Sequence, residues 1–161
     1  MIRKALMQLI LSDLDHTAHL GRALAHTFIS QGVCPLLISG PLGAGKTALI
    51  RYVVTSLPGG DKAEVSSPSF NLVNIYPTQP ETVHMDLYRL GRTGLDESLI
   101  EHLESDRAAL CVEWAEHLPQ SALPTHFVRL QIEVSDHQRF VHIQAQGARA
   151  EAWLVALQAQ L

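Results

Sequence analysis

Three features of the sequence predict an α/β fold in three layers, with helices on both faces of a mixed parallel and antiparallel sheet and a C-terminal antiparallel hairpin. First, the apolar run Leu36-Leu37-Ile38 reads as a buried strand. It leads through the glycine-rich Gly40-Pro41-Leu42-Gly43-Ala44-Gly45-Lys46-Thr47 into a helix-like segment at 48–54. Second, an earlier strand and helix precede this unit, so a strand–helix–strand–loop–helix order opens the chain. Third, residues 127–134 and 139–144 alternate polar and apolar around Ser135-Asp136-His137-Gln138, the mark of a hairpin with one wet face. The 161 residues suit one domain spanning 1–161. A chain of this size buries roughly 68–70% of its unfolded surface, enough for an ordinary core.

The elements follow in order. Residues 5–11 have strand length. Ser12-Asp13-Leu14-Asp15 is a helix start, with Ser12 or Asp13 as cap and Asp15 in the first turn. Leu14, Ala18, Gly21, Leu24, Ala25 and Phe28 recur at helical spacing, so this helix runs to about Ser30. The strand at 35–39 and the glycine loop come next, and the second helix ends near Leu57-Pro58-Gly59-Gly60. Residues 61–69 are polar. A strand is predicted over 70–76, a turn at Pro77 and Pro80, and a second strand over 82–88 with an acid inside it. Leu95, Leu99 and Leu103 mark one helical face, and residues 109–113 form a buried strand ending in Glu113. Pro119 and Pro124 bracket a loop. The hairpin follows, and then a last helix over about 148–160 with Trp153, Ala156 and Leu157 inward.

Composition narrows the function classes. With 47% apolar residues, the chain is not disordered. No run reaches the ~18 apolar residues of a membrane helix. The start, Met1-Ile2-Arg3-Lys4 and the apolar stretch to Leu11, lacks a cleavage site and is interrupted by Asp13 and Asp15, so a cytoplasmic protein is expected. The net charge is −4, and the lysines are Lys4, Lys46 and Lys62. Direct gripping of an RNA backbone, which asks for a basic stripe, is therefore disfavoured. Cys34 and Cys111 are far apart, each in or beside an apolar run, and read as buried free thiols. The nine histidines suggest no zinc site, because no cysteine or carboxylate set completes one at usual spacing.

The glycine loop fits G-x-x-x-x-G-K-[ST], the phosphate-binding loop, in its required setting between strand and helix. Gly40, Gly43 and Gly45 let the backbone bring its N–H groups to phosphate oxygens. The helix that starts there adds its free donors and the positive end of its dipole. Lys46 can reach the outer phosphates, and the Thr47 hydroxyl can serve magnesium. A partner acid belongs at the end of an apolar strand beside the loop strand. Leu110-Cys111-Val112-Glu113 provides one, and Val83-His84-Met85-Asp86 a weaker one. Glu113 is the first choice for the metal and Asp86 for orienting or deprotonating an attacking water, with the roles exchangeable.

These motifs resemble the TsaE (YjeE) family, the small bacterial ATPase needed to form threonylcarbamoyladenosine in tRNA. Besides the loop, the segments that carry the resemblance are Ser67-Pro68-Ser69-Phe70-Asn71-Leu72-Val73-Asn74-Ile75-Tyr76, His84-Met85-Asp86-Leu87-Tyr88-Arg89-Leu90 and Val112-Glu113-Trp114. They stand in the family's order over about residues 11–145. The resemblance implies binding of ATP with magnesium (Mg2+) and slow hydrolysis by the chain alone. It implies joint action with the sister proteins TsaD and TsaB, of which TsaD places the threonylcarbamoyl group on the adenosine beside the anticodon. The ATPase is implied to drive or reset that complex between rounds, so tRNA is met only indirectly, and no DNA or membrane partner is implied. Carried onto this chain, Lys46, Asp86 and Glu113 are the catalytic residues, and Thr47 and Glu113 hold the metal. Gly40, Gly43, Ala44, Gly45, Lys46, Thr47 and Ala48 line the phosphates, and Asp13, Leu14 and Thr17 lie near the adenine. Residues 66–76 resemble a switch segment, and Trp114 would pack or meet a partner.

The sequence also departs from the family. Pro41 stands where Asp or Asn is frequent. Ala48 replaces a second hydroxyl, at a cost of about 0.5–1.5 kcal/mol if nothing substitutes for the hydrogen bond. Ile75 replaces an acid, and His117 a basic residue. An activating arginine comes from a partner or from Arg89 or Arg92, although Arg89 pairing with a neighbouring carboxylate is the plainer expectation. Two other functions fit the loop. A small-molecule kinase would use Arg89, Arg92 and Arg107 in a lid, and a nucleotide-dependent switch would show negligible turnover. No Asn-Lys-x-Asp segment is present to read guanine.

Overall fold

The chain builds β1 (Leu6–Leu11), α1 (Leu14–Gln31), β2 (Leu36–Ser39), α2 (Lys46–Ser56), β3 (Val73–Tyr76), β4 (Thr82–Asp86), α3 (Leu90–Thr93), α4 (Glu97–Glu104), β5 (Ala109–Glu113), β6 (Phe127–Ser135), β7 (Gln138–Gln146) and α5 (Ala148–Gln158). Single 3-10 turns sit at Ala115–His117 and Gln120–Ala122. This is a computed structural model that describes residues 6–161 apart from the Arg92 side chain. The expected strand start at residue 5, Lys4 and the suggested role of Arg92 lie outside the described residues.

The seven strands form one sheet in the order β1-β7-β6-β2-β5-β4-β3. The centre is parallel, with β2 between β6 and β5, and β5 beside β4. The margins are antiparallel, where β3 joins β4 and the β6–β7 hairpin carries β1. Alternation explains the layers. Leu36 and Ile38 of β2 face the core shared with α1, α2 and α5, whereas Leu37 faces the other core with Leu99 and Leu103 of α4. The central strands are covered on both faces, as parallel strands require. The hairpin keeps one wet face: Arg129, Gln131 and Glu133 are exposed, and Val128, Leu130 and Ile132 are buried.

Local chemistry sets the helices. Asp13 caps α1 by accepting the His16 amide at 2.9 Å. Gly21 lies where α1 crosses α2; a Cβ there would fall 2.4 Å from Tyr52 Cβ, so a glycine is needed for the close approach. Trp153 of α5 packs its ring 5.3 Å from that of Phe28 and donates its indole N–H to Gly32 O at 3.0 Å, closing the end of α1. Leu154 joins Trp153 and Leu157 in the core, while Ala156 is half-buried. Both cysteines are buried, and burial pushes each thiol up to about 12. No helix among the described residues is long and apolar enough to cross a membrane.

Three boundaries differ from expectation. The strand predicted over 70–76 starts at Val73, because the Leu72 amide turns back to Pro68 O at 2.7 Å and Leu72 has a φ of 64°. The strand predicted over 82–88 ends at Asp86, where the Asp86 carboxylate accepts the Tyr88 amide and bends the chain. The helical face of Leu95, Leu99 and Leu103 belongs to α4, which starts only at Glu97 behind the Asp96 cap, with the unpredicted single turn of α3 before it.

Candidate nucleotide site

Parallel strands with short connections gather chemistry at their C-terminal ends. Here β2 ends at the glycine loop, and its Ile38 is in register with Glu113 of β5, which is itself in register with Asp86 of β4. The two acids expected from sequence therefore stand side by side at the edge where the loop begins.

The loop is shaped by its own bonds. Gly43 and Gly45 have φ values of 78° and 99°, in the left-handed region that glycine enters without strain. The first α2 hydrogen bond runs from the Leu49 amide to Gly45 O at 2.9 Å. The amides of Gly43, Gly45, Lys46, Thr47 and Ala48 donate to no protein acceptor among the described residues. Ala44, unlike those five, has protein partners. Its amide closes a turn onto Pro41 O at 3.1 Å, and its carbonyl accepts the Arg139 Nε–H at 2.9 Å. Ala44 thus shapes the loop. Gly40 has its own constraint, since a Cβ there would lie 2.8 Å from Ile132 O on the overhanging end of β6.

Lys46 is buried. Its ammonium donates to Gly40 O at 2.7 Å and Pro41 O at 2.9 Å and lies 3.8 Å from the centre of the Trp114 ring. Burial pulls it below the usual lysine range, against the opposing pull of the Glu113, Glu116 and Asp86 carboxylates. Trp114 has a φ of 56°, unusual for a bulky residue. Its ring packs between that of Tyr88, 4.8 Å away, and that of His117, 5.8 Å away, and His117 donates to Leu87 O at 2.7 Å.

The acids have separate partners. Glu113 Oε1 accepts the Thr47 hydroxyl at 2.7 Å and lies 2.8 Å from His84 Nε2. Asp86 accepts the Tyr88 amide at 2.9 Å on one oxygen and the Ser67 hydroxyl on the other. Glu113 thus faces the loop, and Asp86 faces the segment around residue 67. Both are buried.

The start of α1 reaches the loop through β7. Leu11 is in register with Arg139, and Arg139 bonds the loop at Ala44. Of the three residues expected near the base, Leu14 is exposed. Thr17 is buried with its hydroxyl on Asp13 O at 3.2 Å, and Asp13 is the helix cap. The His16 amide holds the Asp13 carboxyl below the usual carboxylate range. Arg89 pairs with no carboxylate among the described residues; its guanidinium lies 4.8 Å above the exposed Phe70 ring. Arg139 and His84 also reach the site, and neither is among the residues expected there from the sequence. Arg139 reaches the loop by sheet pairing across 95 residues, which leaves no local signal. His84 stands two residues before Asp86 in β4, and strand alternation, which puts both on one face, is the clue the sequence holds.

The family described as "Threonylcarbamoyl adenosine biosynthesis protein TsaE" matches residues 11–141. The chain is similar to the protein of Rickettsia bellii (strain RML369-C) named "tRNA threonylcarbamoyladenosine biosynthesis protein TsaE", with 30% identity over 139 residues, 82% of this chain and 90% of that one. The protein of the same name from Streptomyces coelicolor is 34% identical over 141 residues, 81% of this chain and 90% of the relative. That from Aquifex aeolicus is 30% identical over 135 residues, 83% and 92%. Among solved structures, the crystal structure of Bacillus subtilis YdiB superposes with a TM-score of 0.73 at 25% identity, over 99% of this chain and 98% of that one.

Proposed function

The chain belongs to the TsaE family, and from that premise we propose that it is a single-domain, cytoplasmic, magnesium-dependent ATPase that serves threonylcarbamoyladenosine formation in tRNA by driving or resetting a TsaD–TsaB complex. The family match supports the tRNA role, and the observation that carries the ATPase reading is the 2.7 Å contact between the Thr47 hydroxyl and Glu113 beside a row of loop amides without protein acceptors.

The residues fit both ligands. Five backbone donors and the dipole end of α2 suit a chain of phosphates. Thr47 and Glu113 are hard oxygen donors set side by side, the few protein ligands a magnesium ion takes. When bound, that ion neutralises charge on the outer phosphates. The protein does the rest. Lys46 leaves the Gly40 and Pro41 carbonyls and the Trp114 face for the terminal phosphates. Asp86 orients an attacking water and accepts its proton, and its bond to Ser67 ties that step to the position of the 66–76 segment. Leu14 and the start of α1 flank the base.

A site of this kind works slowly alone, at about 10⁻⁴ to 10⁻² s⁻¹, and an arginine from a partner adds about 10³- to 10⁵-fold. Arg89 rests on Phe70 in this chain, and the activating arginine comes from the partner or from Arg89 or Arg92. Reconstitution with limiting TsaD–TsaB, tRNA and an activated threonylcarbamoyl donor tests the role. The expected result is one round of modification per complex without this chain and many rounds with it and ATP. Repeated rounds in its absence contradict the role.

A further inference from the structure

Glu113 has a second protein contact, which the nucleotide chemistry does not itself require. His84 lies in the middle of β4, in register with Asn74 of β3 and Cys111 of β5, and is fully buried. Its Nε2 is 2.8 Å from Glu113 Oε1, the same oxygen that accepts the Thr47 hydroxyl. Its Nδ1 is buried with no hydrogen-bond partner. These contacts fix the tautomer. A carboxylate oxygen accepts, so Nε2 carries the hydrogen, and Nδ1 keeps only a lone pair. The opposite tautomer would seal a donor in the core with nothing to meet and set two lone pairs against each other.

Packing alone does not call for this residue. A leucine or methionine would fill this buried slot in β4, between β3 and β5, without leaving a polar atom orphaned. What the imidazole adds is one directed donor on Glu113. Oε1 is thereby held from two sides, by Thr47 and by His84. Oε2 accepts no hydrogen bond among the described residues and is not among the sealed, partnerless atoms.

We propose that His84 is a positioning residue that pins the Glu113 carboxylate beside Thr47 so that it is aimed in advance at the divalent cation of the nucleotide complex. The inference rests on the reading of Thr47 and Glu113 as the cation ligands. Outer hydrogen bonds of this kind orient ligands at metal sites, and losing one typically costs about 10- to 100-fold in metal affinity.

The test measures binding of the imidotriphosphate analogue of ATP by calorimetry, once in EDTA and once in Mg2+. The ratio of the two affinities is the contribution of the cation. His84→Leu removes the donor and fills the space; the ratio is expected to fall about 10- to 100-fold while the affinity in EDTA holds. His84→Gln returns an N–H near the Nε2 position and restores most of the ratio, whereas His84→Asn is too short and does not. If the leucine variant does not fold, the Gln and Asn pair decides alone. An unchanged ratio in His84→Asn, or equal losses with and without Mg2+, overturns the inference and makes His84 a packing residue. A wild-type ratio of one overturns the cation site and this inference with it. Nitrogen NMR of the imidazole is expected to show the Nε2–H tautomer, and an Nδ1–H signal contradicts the contact.

Discussion

Lys46→Ala is expected to weaken ATP binding by about 2–5 kcal/mol, the loss of one or two hydrogen bonds to charged phosphate oxygens. That is roughly 30- to several-thousand-fold in affinity, and hydrolysis should fall below detection. The fold should barely respond. Without nucleotide, the Lys46 ammonium satisfies the carbonyls of Gly40 and Pro41 and rests on Trp114, but it does so at a desolvation cost that depresses its own pKa. Gains and losses oppose each other. Pro41 O also keeps its bond from the Ala44 amide. A thermal midpoint within a few degrees of wild type is therefore expected, since about 1 kcal/mol moves a domain of this size by roughly 2–4 °C. Calorimetric titration with ATP checks the first part and a thermal melt the second. Unchanged ATP affinity in a folded variant would remove the loop from the site.

Glu113 separates charge from geometry. Glu113→Gln keeps a carbonyl oxygen that can accept from Thr47 and His84, so the fold should remain near wild-type stability. It loses the negative charge, so Mg2+ should no longer strengthen ATP binding, and Mg2+-dependent phosphate release should fall by at least about 100-fold, the upper end for outer-contact losses at metal sites. Glu113→Ala removes the acceptor as well. The His84 Nε2–H, already paired with a buried and partnerless Nδ1, is then left without a partner. That should cost about 1–3 kcal/mol of stability, or roughly 2–12 °C in the melt. ATP affinity measured with and without Mg2+, beside melts of both variants, distinguishes the effects. Equal loss of affinity in EDTA and in Mg2+ would make Glu113 structural.

Much of this site is visible in the sequence because its parts are local. The loop declares itself by glycine spacing between an apolar strand and a helix. Glu113 and Asp86 declare themselves as carboxylates ending apolar runs. The sequence leaves their roles exchangeable. The difference between them is tertiary: β5 adjoins β2 and aims Glu113 at Thr47, while β4 lies one strand further out and gives Asp86 to Ser67. Arg139 is likewise invisible before the fold, because its bond to Ala44 depends on β7 returning between β1 and β6. His84 shows a different limit. A histidine in an apolar strand reads equally as packing, and only the oxygen at 2.8 Å and the bare second nitrogen give it a direction. The late start of β3 follows from the Leu72 turn, where apolar composition pointed to a strand and the backbone bond to Pro68 O prevailed.

Phosphate release from ATP and Mg2+, by the chain alone and then with the TsaD–TsaB pair, tests the proposed activity most directly, with Lys46→Ala as the blank. A slow rate that rises by about 10³-fold or more on adding the pair is predicted, as for sites completed by a partner's arginine. A rate indifferent to the pair, or ADP appearing with a phosphorylated small molecule and no free phosphate, would contradict it.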